Sequence, residues 1–311
     1  GVAAGSREVL KAFEEEVART GVLALIRPRE DTCSGKSAAV TGTGCQGLCA
    51  MDPLVEIHMH NNGSTSKVTY GQVTPAMVPE IMEKHILGGE PIEKWLVLTD
   101  QGPTEYDSFY DAQEKLTLRH VGVIDPEDID DYLEAGGYQA LYKVLIDQNP
   151  AGVVEQIKAA KLRGRGGAGY LTGNKWEFLQ KAADPEKYLI CNADEGDPGA
   201  YMNRNEIEGD PHSLIEGMAI AGYVTGAAKG IIYVRAEYPL AVMRLERALD
   251  QARAYGVLGE NVLGRGFKFD IESVEGAGAF VCGEETALIA SLEGHSGRPR
   301  TRPPFPAQKG L

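Results

Sequence analysis

From residue 150 onward the chain alternates helical patterns with short apolar runs, and this alternation limits the fold more than any other feature. Residues 188–192, 230–235 and 267–274 read as buried strands; residues 176–182, 212–225, 240–255 and 284–292 read as helices. Strands separated by helices predict an open, largely parallel sheet with helices on its faces, an α/β fold. Ligands of such sheets bind in the crevice beyond the carboxyl ends of the strands. Two polar, glycine-bearing stretches fall at those ends: residues 191–199 after the first strand and 275–286 after the third.

A third stretch, residues 164–176, reads GRGGAGYLTGNKW. Glycine lets a backbone approach a ligand without a Cβ in the way, and successive N–H groups in such a loop form an anion-binding nest. Arg165 and Lys175 add positive charge to a chain whose formal net charge is -14. Together they predict a bound phosphate; the alternative is a plain glycine turn. Gly164, Gly166 and Gly169 satisfy G-x-G-x-x-G, but the dinucleotide fingerprint follows a strand, and residues 153–161 have helical spacing instead. A P-loop is excluded because Tyr170, not Lys, follows Gly169.

The other constellations leave alternatives open. Asn192, Asp194, Glu195 and Asp197 gather an amide and three carboxylates on one loop. Carboxylates that close repel one another, so the loop implies a hard cation, hydrogen bonds to the hydroxyls and ring N–H groups of a cofactor, or a helix cap. Glu284 and Glu285 open a helix, where the dipole alone favours them; their place at a strand's carboxyl end adds a binding reading. Cys45 and Cys49 stand four apart in a glycine-containing loop, a spacing suited to thiolate ligation of iron or zinc. Two thiolates do not complete such a site, and Cys33 is a candidate third. Cys191 and Cys282, in apolar strand-end contexts, read as core residues. His58 and His60 read as outward-facing positions of a strand. Gly35-Lys36-Ser37 is a fragment of a P-loop, with Glu30 where its leading Gly should stand.

A length of 311 residues allows about two domains. Residues 1–87 read as a small α/β module: an amphipathic helix at 7–19, strands at 53–60 and 67–73 around an Asn62-Gly63 turn, and a helix at 76–87. Residues 88–149 read as a linker and docking arm. They hold a strand at 95–98, an acidic run at 125–131 taken as solvated surface, and a helix at 137–147. Residues 150–311 form the ligand-binding α/β domain. No apolar run approaches the ~18 residues of a membrane span. The acidic balance speaks against nucleic-acid binding. Five cysteines, an odd count with no signal peptide before them, point to a reducing, cytoplasmic compartment.

Residues 164–176, 192–199, 276–288 and 302–306, in that order, resemble the family of NADH-binding FMN flavoproteins. That family includes the flavoprotein subunit of respiratory complex I and the diaphorase subunits of NAD-reducing or electron-bifurcating hydrogenases and formate dehydrogenases. The resemblance implies a Rossmann-like FMN- and NADH-binding domain. It implies that hydride passes directly between NAD(H) and FMN with no catalytic side chain, and that single electrons pass on to iron–sulfur clusters of a multisubunit complex. It implies that Gly164, Arg165, Gly166 and Lys175 cradle the FMN phosphate. Asn192, Asp194 and Glu195 would bind the ribityl chain and isoalloxazine, with Gly283 and Glu284 on the flavin side. Tyr170, Phe178 and Phe305 would stack on the nicotinamide nucleotide, and Asp197, Glu285 and Arg302 complete the NADH side. Glu285 at the adenosine ribose would favour NAD(H), accepting from the 2′-hydroxyl and repelling a 2′-phosphate.

Asp197 stands where complex I members usually carry Glu, which with Gly196 resembles the hydrogenase and formate dehydrogenase branch. Arg302 stands where Lys is common. The alternatives are a complex I-like respiratory subunit and a flavin-free electron-transfer or scaffold subunit. Residues 43–49 resemble the second half of a thioredoxin-like [2Fe–2S] ferredoxin domain, with Cys45 and Cys49 as half of its ligands. The family's first cysteine pair would precede Gly1. Its ubiquitin-like domain and a helical bundle with a [4Fe–4S] motif would follow Leu311. The partners implied are NADH, a thioredoxin-like [2Fe–2S] subunit, and a hydrogenase or formate dehydrogenase catalytic subunit, with no nucleic acid and no membrane span.

Overall fold

The computed structural model describes residues 2–24, 37–61, 64–100, 102, 104–110 and 112–311. Cys33, Gly35, Lys36 and the Asn62-Gly63 turn lie outside the described residues. The chain divides between Arg119 and His120 into two units.

In the first unit, helix α1 (Ser6–Thr20) buries Val9, Phe13 and Val17, one turn apart, and ends at Gly21 in the left-handed conformation. Strands β1 (Leu23–Ala24) and β2 (Ser37–Ala38) form a short parallel pair. Strand β3 (Val55–Asn61) runs antiparallel to β4 (Ser64–Tyr70), with Val55 opposite Tyr70. Alternation along these strands buries Ile57, Val68 and Tyr70 and exposes His58 and His60. The helix expected at 76–87 is a composite: a 3-10 turn (Pro75–Met77), α2 (Val78–Glu80) and a π-helical turn (Ile81–Leu87). Strand β5 (Leu96–Thr99), expected in the linker, pairs with β4 as the third strand of this sheet. Helix α3 (Asp107–Tyr110) follows.

The second unit contains helices α4 (Ile129–Glu134), α5 (Gln139–Asp147), α6 (Pro150–Ala159) and α7 (Thr172–Lys181). Strand β6 (Tyr188–Ala193), helices α8 (Met202–Gly209) and α9 (Pro211–Thr225), strand β7 (Lys229–Arg235), helix α10 (Pro239–Ala254), strand β8 (Asp270–Gly276) and helix α11 (Glu285–Leu292) complete it. The three strands form the expected parallel sheet with β7 in the centre, and Lys229 aligns with Tyr188 on one side and Asp270 on the other. Helix α9 is apolar nearly all round and buries Ile215, Met218, Ala219 and Val224. Among the described residues no helix is long and apolar enough to cross a membrane.

Residues 120–149 fall in this second unit. The cause is a buried polar network on α9. Glu216 accepts from the Tyr132 hydroxyl at 2.5 Å and from the backbone N–H groups of Tyr138 and Leu141 at 2.9 and 3.0 Å, which satisfies the start of α5. The Tyr138 hydroxyl meets His212 Nδ1 at 2.8 Å, and burial pushes His212 down to about 4. The acidic run is likewise structural and not merely solvated. Asp128 caps α4 through Asp130 N–H, Asp131 accepts from Asp125 N–H, and Glu127 holds Arg244 and Arg247 of α10 at 3.3 and 2.9 Å.

Candidate functional site

The glycine stretch leaves a helix, as its helical approach predicts, and enters another. An antiparallel bridge between Arg163 and Leu171 closes its base, with Gly164 N–H donating to the Tyr170 carbonyl at 2.9 Å. The Arg163 guanidinium donates to the Gly169 carbonyl at 2.9 Å. Gly167 and Gly169 take φ of 96° and 60°, where side chains are strained. A Cβ on Gly166, Gly167 or Gly169 would meet nothing within 4 Å, so the exposed tip borders open space. Gly173 differs. A Cβ there would stand 2.7 Å from Lys158 Cγ and 2.9 Å from Lys158 N, so this glycine lets α7 lie against α6 and fixes both ends of the loop. Lys175 sits in the first turn of α7, exposed, 4.0 Å from Glu285.

At the carboxyl end of β6, Asn192 Nδ2 donates to the Gly283 carbonyl at 2.8 Å and joins the two strand-end stretches. Asp194 and Glu195 are buried. The Glu195 carboxylate accepts from Asn203 and Arg204 N–H, each at 3.0 Å, and so caps the start of α8. Each of its two oxygens thus accepts from the helix terminus. Asp194 Oδ2, in contrast, is buried with no hydrogen-bond partner among the described residues. Burial pushes the Asp194 carboxyl up, with Arg235 opposing. A Cβ on Gly283 would stand 3.6 Å from that Oδ2. Asp197 is exposed.

Glu284 caps α11, accepting from Thr286 and Ala287 N–H at 2.9 and 3.0 Å. Burial opposes its ionisation, but these bonds and Arg302 hold it below the usual carboxylate range. The Arg302 fork spans both carboxylates, with Nη2 on Glu284 at 2.7 Å and Nη1 on Glu285. Glu285 thus stands between two cations, Arg302 and Lys175. Tyr170, Phe178 and Phe305 are 48–53% exposed, and Phe280 is 73% exposed.

Arg235 is a site residue that the motifs missed. It ends β7, donates through Nη1 to the Glu195 carbonyl at 3.0 Å and pairs with Glu237 at 2.7 Å. Glu237 in turn abuts Gly278, so this pair touches both strand-end stretches. Its only sequence signal was a charge closing the apolar run at 230–235.

In the first unit, Cys45 Sγ and Cys49 Sγ lie 3.7 Å apart, and with Asp52 they bring three ligand atoms within 4.8 Å of one another. Burial pushes the Cys45 thiol up, against the Gly47 N–H that donates to its sulfur at 3.4 Å. Two thiolates and a carboxylate suit iron or zinc and leave a tetrahedral or two-iron site incomplete. Cys282 is buried, and burial pushes the Cys191 thiol up to about 12, as suits core residues.

Residues 157–311 match the family described as the Nuo51 FMN-binding domain. The chain is 58% identical over 198 residues to the NADP-reducing hydrogenase subunit HndC of Solidesulfovibrio fructosivorans, covering 64% of this chain and 40% of that protein. It is 50% identical over 198 residues to the F 2 subunit of the NADH-quinone oxidoreductase of Rhizobium meliloti, covering 64% and 47%. It is 38% identical over 274 residues to the NAD-reducing hydrogenase HoxS subunit alpha of Cupriavidus necator, covering 86% and 42%. The chain spans less than half the length of these relatives.

Proposed function

Because the chain belongs, through residues 157–311, to the Nuo51 FMN-binding domain family, we propose that it is the flavin-bearing part of a hydrogenase-type NAD(H) oxidoreductase. It exchanges hydride between NAD(H) and FMN and feeds electrons to iron–sulfur partner subunits, in the cytoplasm. The observation that carries this is Asp194. A buried carboxylate oxygen without a donor costs ~1–3 kcal/mol, and Oδ2 stands beside Gly283 where the ends of β6 and β8 are joined. It fits a ring N–H or hydroxyl of the cofactor.

The loop at 164–169 fits the cofactor's phosphate. Its glycines border open space, and Arg165 and Lys175 supply charge-assisted donors. FMN, when bound, supplies the hydride chemistry; the protein's part is binding and orientation. Asn192 ties β6 to Gly283, Arg235 holds the Glu195 carbonyl, and Glu195 acts through α8. Tyr170, Phe178 and Phe305 offer half-exposed rings to the nucleotide. Its ribose would meet Glu285, already paired with Arg302. Identity of 58% to a hydrogenase subunit, against 50% to a quinone oxidoreductase subunit, supports the hydrogenase-type branch.

The first unit, on this reading, is a thioredoxin-like module in which Cys45 and Cys49 supply half the ligands of a [2Fe–2S] cluster. The test of the flavin assignment is a titration of parent and Lys175→Ala with FMN, followed by quenching of flavin fluorescence. Loss of a hydrogen bond to a charged group, ~1.5–3 kcal/mol, lowers FMN affinity by roughly 10–100-fold. Equal affinity would exclude Lys175 from the phosphate site.

A further inference from the structure

Tyr110, at the end of α3, donates its hydroxyl proton to the Gln46 carbonyl at 3.0 Å across 64 residues of sequence. A carbonyl and the N–H of the following residue share one planar peptide and point in opposite directions. Holding the Gln46 carbonyl therefore aims the Gly47 N–H the other way, and that N–H donates to Cys45 Sγ at 3.4 Å. Gly47 has φ of 96°, a conformation suited to glycine, and a Cβ there would come to 4.0 Å from the Tyr110 hydroxyl. The Gln46 side chain is tethered separately: Nε2 donates to Glu56 at 3.2 Å, and His58 and Lys67 hold Glu56 at 2.6 and 2.9 Å. The peptide between the cysteines is thus clamped from both its backbone and its side chain. Cys49 Sγ receives no backbone N–H among the described residues, so the two sulfurs are inequivalent.

We infer that Tyr110 is a positioning residue that sets the metal-binding character of Cys45 through the Gln46–Gly47 peptide. This rests on the reading of Cys45 and Cys49 as thiolate ligands. An N–H···S bond draws negative charge from the sulfur, and hydrogen bonds to ligand sulfurs are a means of tuning iron–sulfur sites. The Tyr110 ring is itself held, with Lys115 Nζ 5.3 Å over it and Phe109 against its edge at 5.6 Å.

Tyr110→Phe removes only the hydroxyl. Parent and variant chains are titrated with Co²⁺, followed by thiolate-to-cobalt charge-transfer absorption, and Gly47 amide hydrogen exchange is measured by NMR in both. The expected result is a roughly 10–100-fold loss of Co²⁺ affinity, the range for outer-shell partners of metal ligands, together with faster exchange at Gly47 and an unchanged circular dichroism spectrum. A parent that binds Co²⁺ through thiolate, with affinity and Gly47 exchange unchanged in Tyr110→Phe, would overturn the role of Tyr110. A parent with no thiolate–cobalt band would overturn the ligand reading itself, and the role of Tyr110 with it.

Discussion

Gly173→Ala and Gly217→Ala make the same chemical change in two helices and are expected to act in opposite directions. Replacing a helix-interior glycine by alanine normally stabilises by ~0.5–1 kcal/mol. Gly217 lies on the exposed side of α9, where a Cβ would meet nothing within 4 Å, so it should gain that amount. At Gly173 the new Cβ stands 2.7 Å from Lys158 Cγ, 2.9 Å from Lys158 N and 3.2 Å from Lys158 Cα. The side chain can swing aside; the backbone atoms cannot. Helices α6 and α7 must part, at an overpacking cost of ~1–3 kcal/mol. After the helical gain, a net loss of up to ~2.5 kcal/mol remains. Residues 160–171 join these helices, so parting them also widens the base of the phosphate loop and lowers FMN affinity. Urea unfolding of both variants, read at the midpoint with an unchanged slope, measures the stability change; FMN titration measures the second effect. Gly173→Ala at or above parental stability would refute the close-packing account.

Three further outcomes follow from particular contacts. His212 is held at about 4, below its ordinary value, so its contribution is fully present above ~6.5 and is lost as pH falls from there toward 4, by up to ~3 kcal/mol. His212→Gln should flatten that part of the urea-midpoint profile; an unchanged profile assigns the acid sensitivity elsewhere. Arg302→Ala removes the cation that Glu284 and Glu285 share, so kcat/KM with an artificial acceptor should fall more for NADPH than for NADH; an unchanged ratio removes Arg302 from nucleotide choice. Glu195→Gln keeps one of the two acceptor oxygens that the α8 N–H groups use and should leave FMN affinity near the parental value, whereas Glu195→Ala, which keeps neither, should destabilise by ~0.5–2 kcal/mol. Loss of FMN affinity in Glu195→Gln would restore a direct role for that carboxylate.

The parallel sheet was legible because β6 and β7 are apolar runs and α9 and α10 are long. Helix α8 was not, because its sequence MNRNEIEG carries little apolar periodicity and its start is satisfied by Glu195 from a separate loop. Local pattern could not assign β5 to a sheet, since its partner β4 lies about 30 residues earlier in the chain. The acidic run at 125–131 resembled solvated surface because the arginines it meets, Arg244 and Arg247, lie on α10. In the site, the glycine loop and its helical approach could be read directly. That Glu195 serves a helix, that Arg302 bridges two carboxylates and that Arg235 supports the Glu195 peptide depend on contacts between distant residues.

The most direct test of the flavin-bearing account is to load the protein with FMN, exclude oxygen, add NADH and follow the visible absorption of the bound flavin. The account predicts stoichiometric binding of FMN and bleaching of its band by NADH, with Lys175→Ala retaining less flavin. Bound FMN whose band NADH leaves unchanged, or no FMN bound at all, would contradict it.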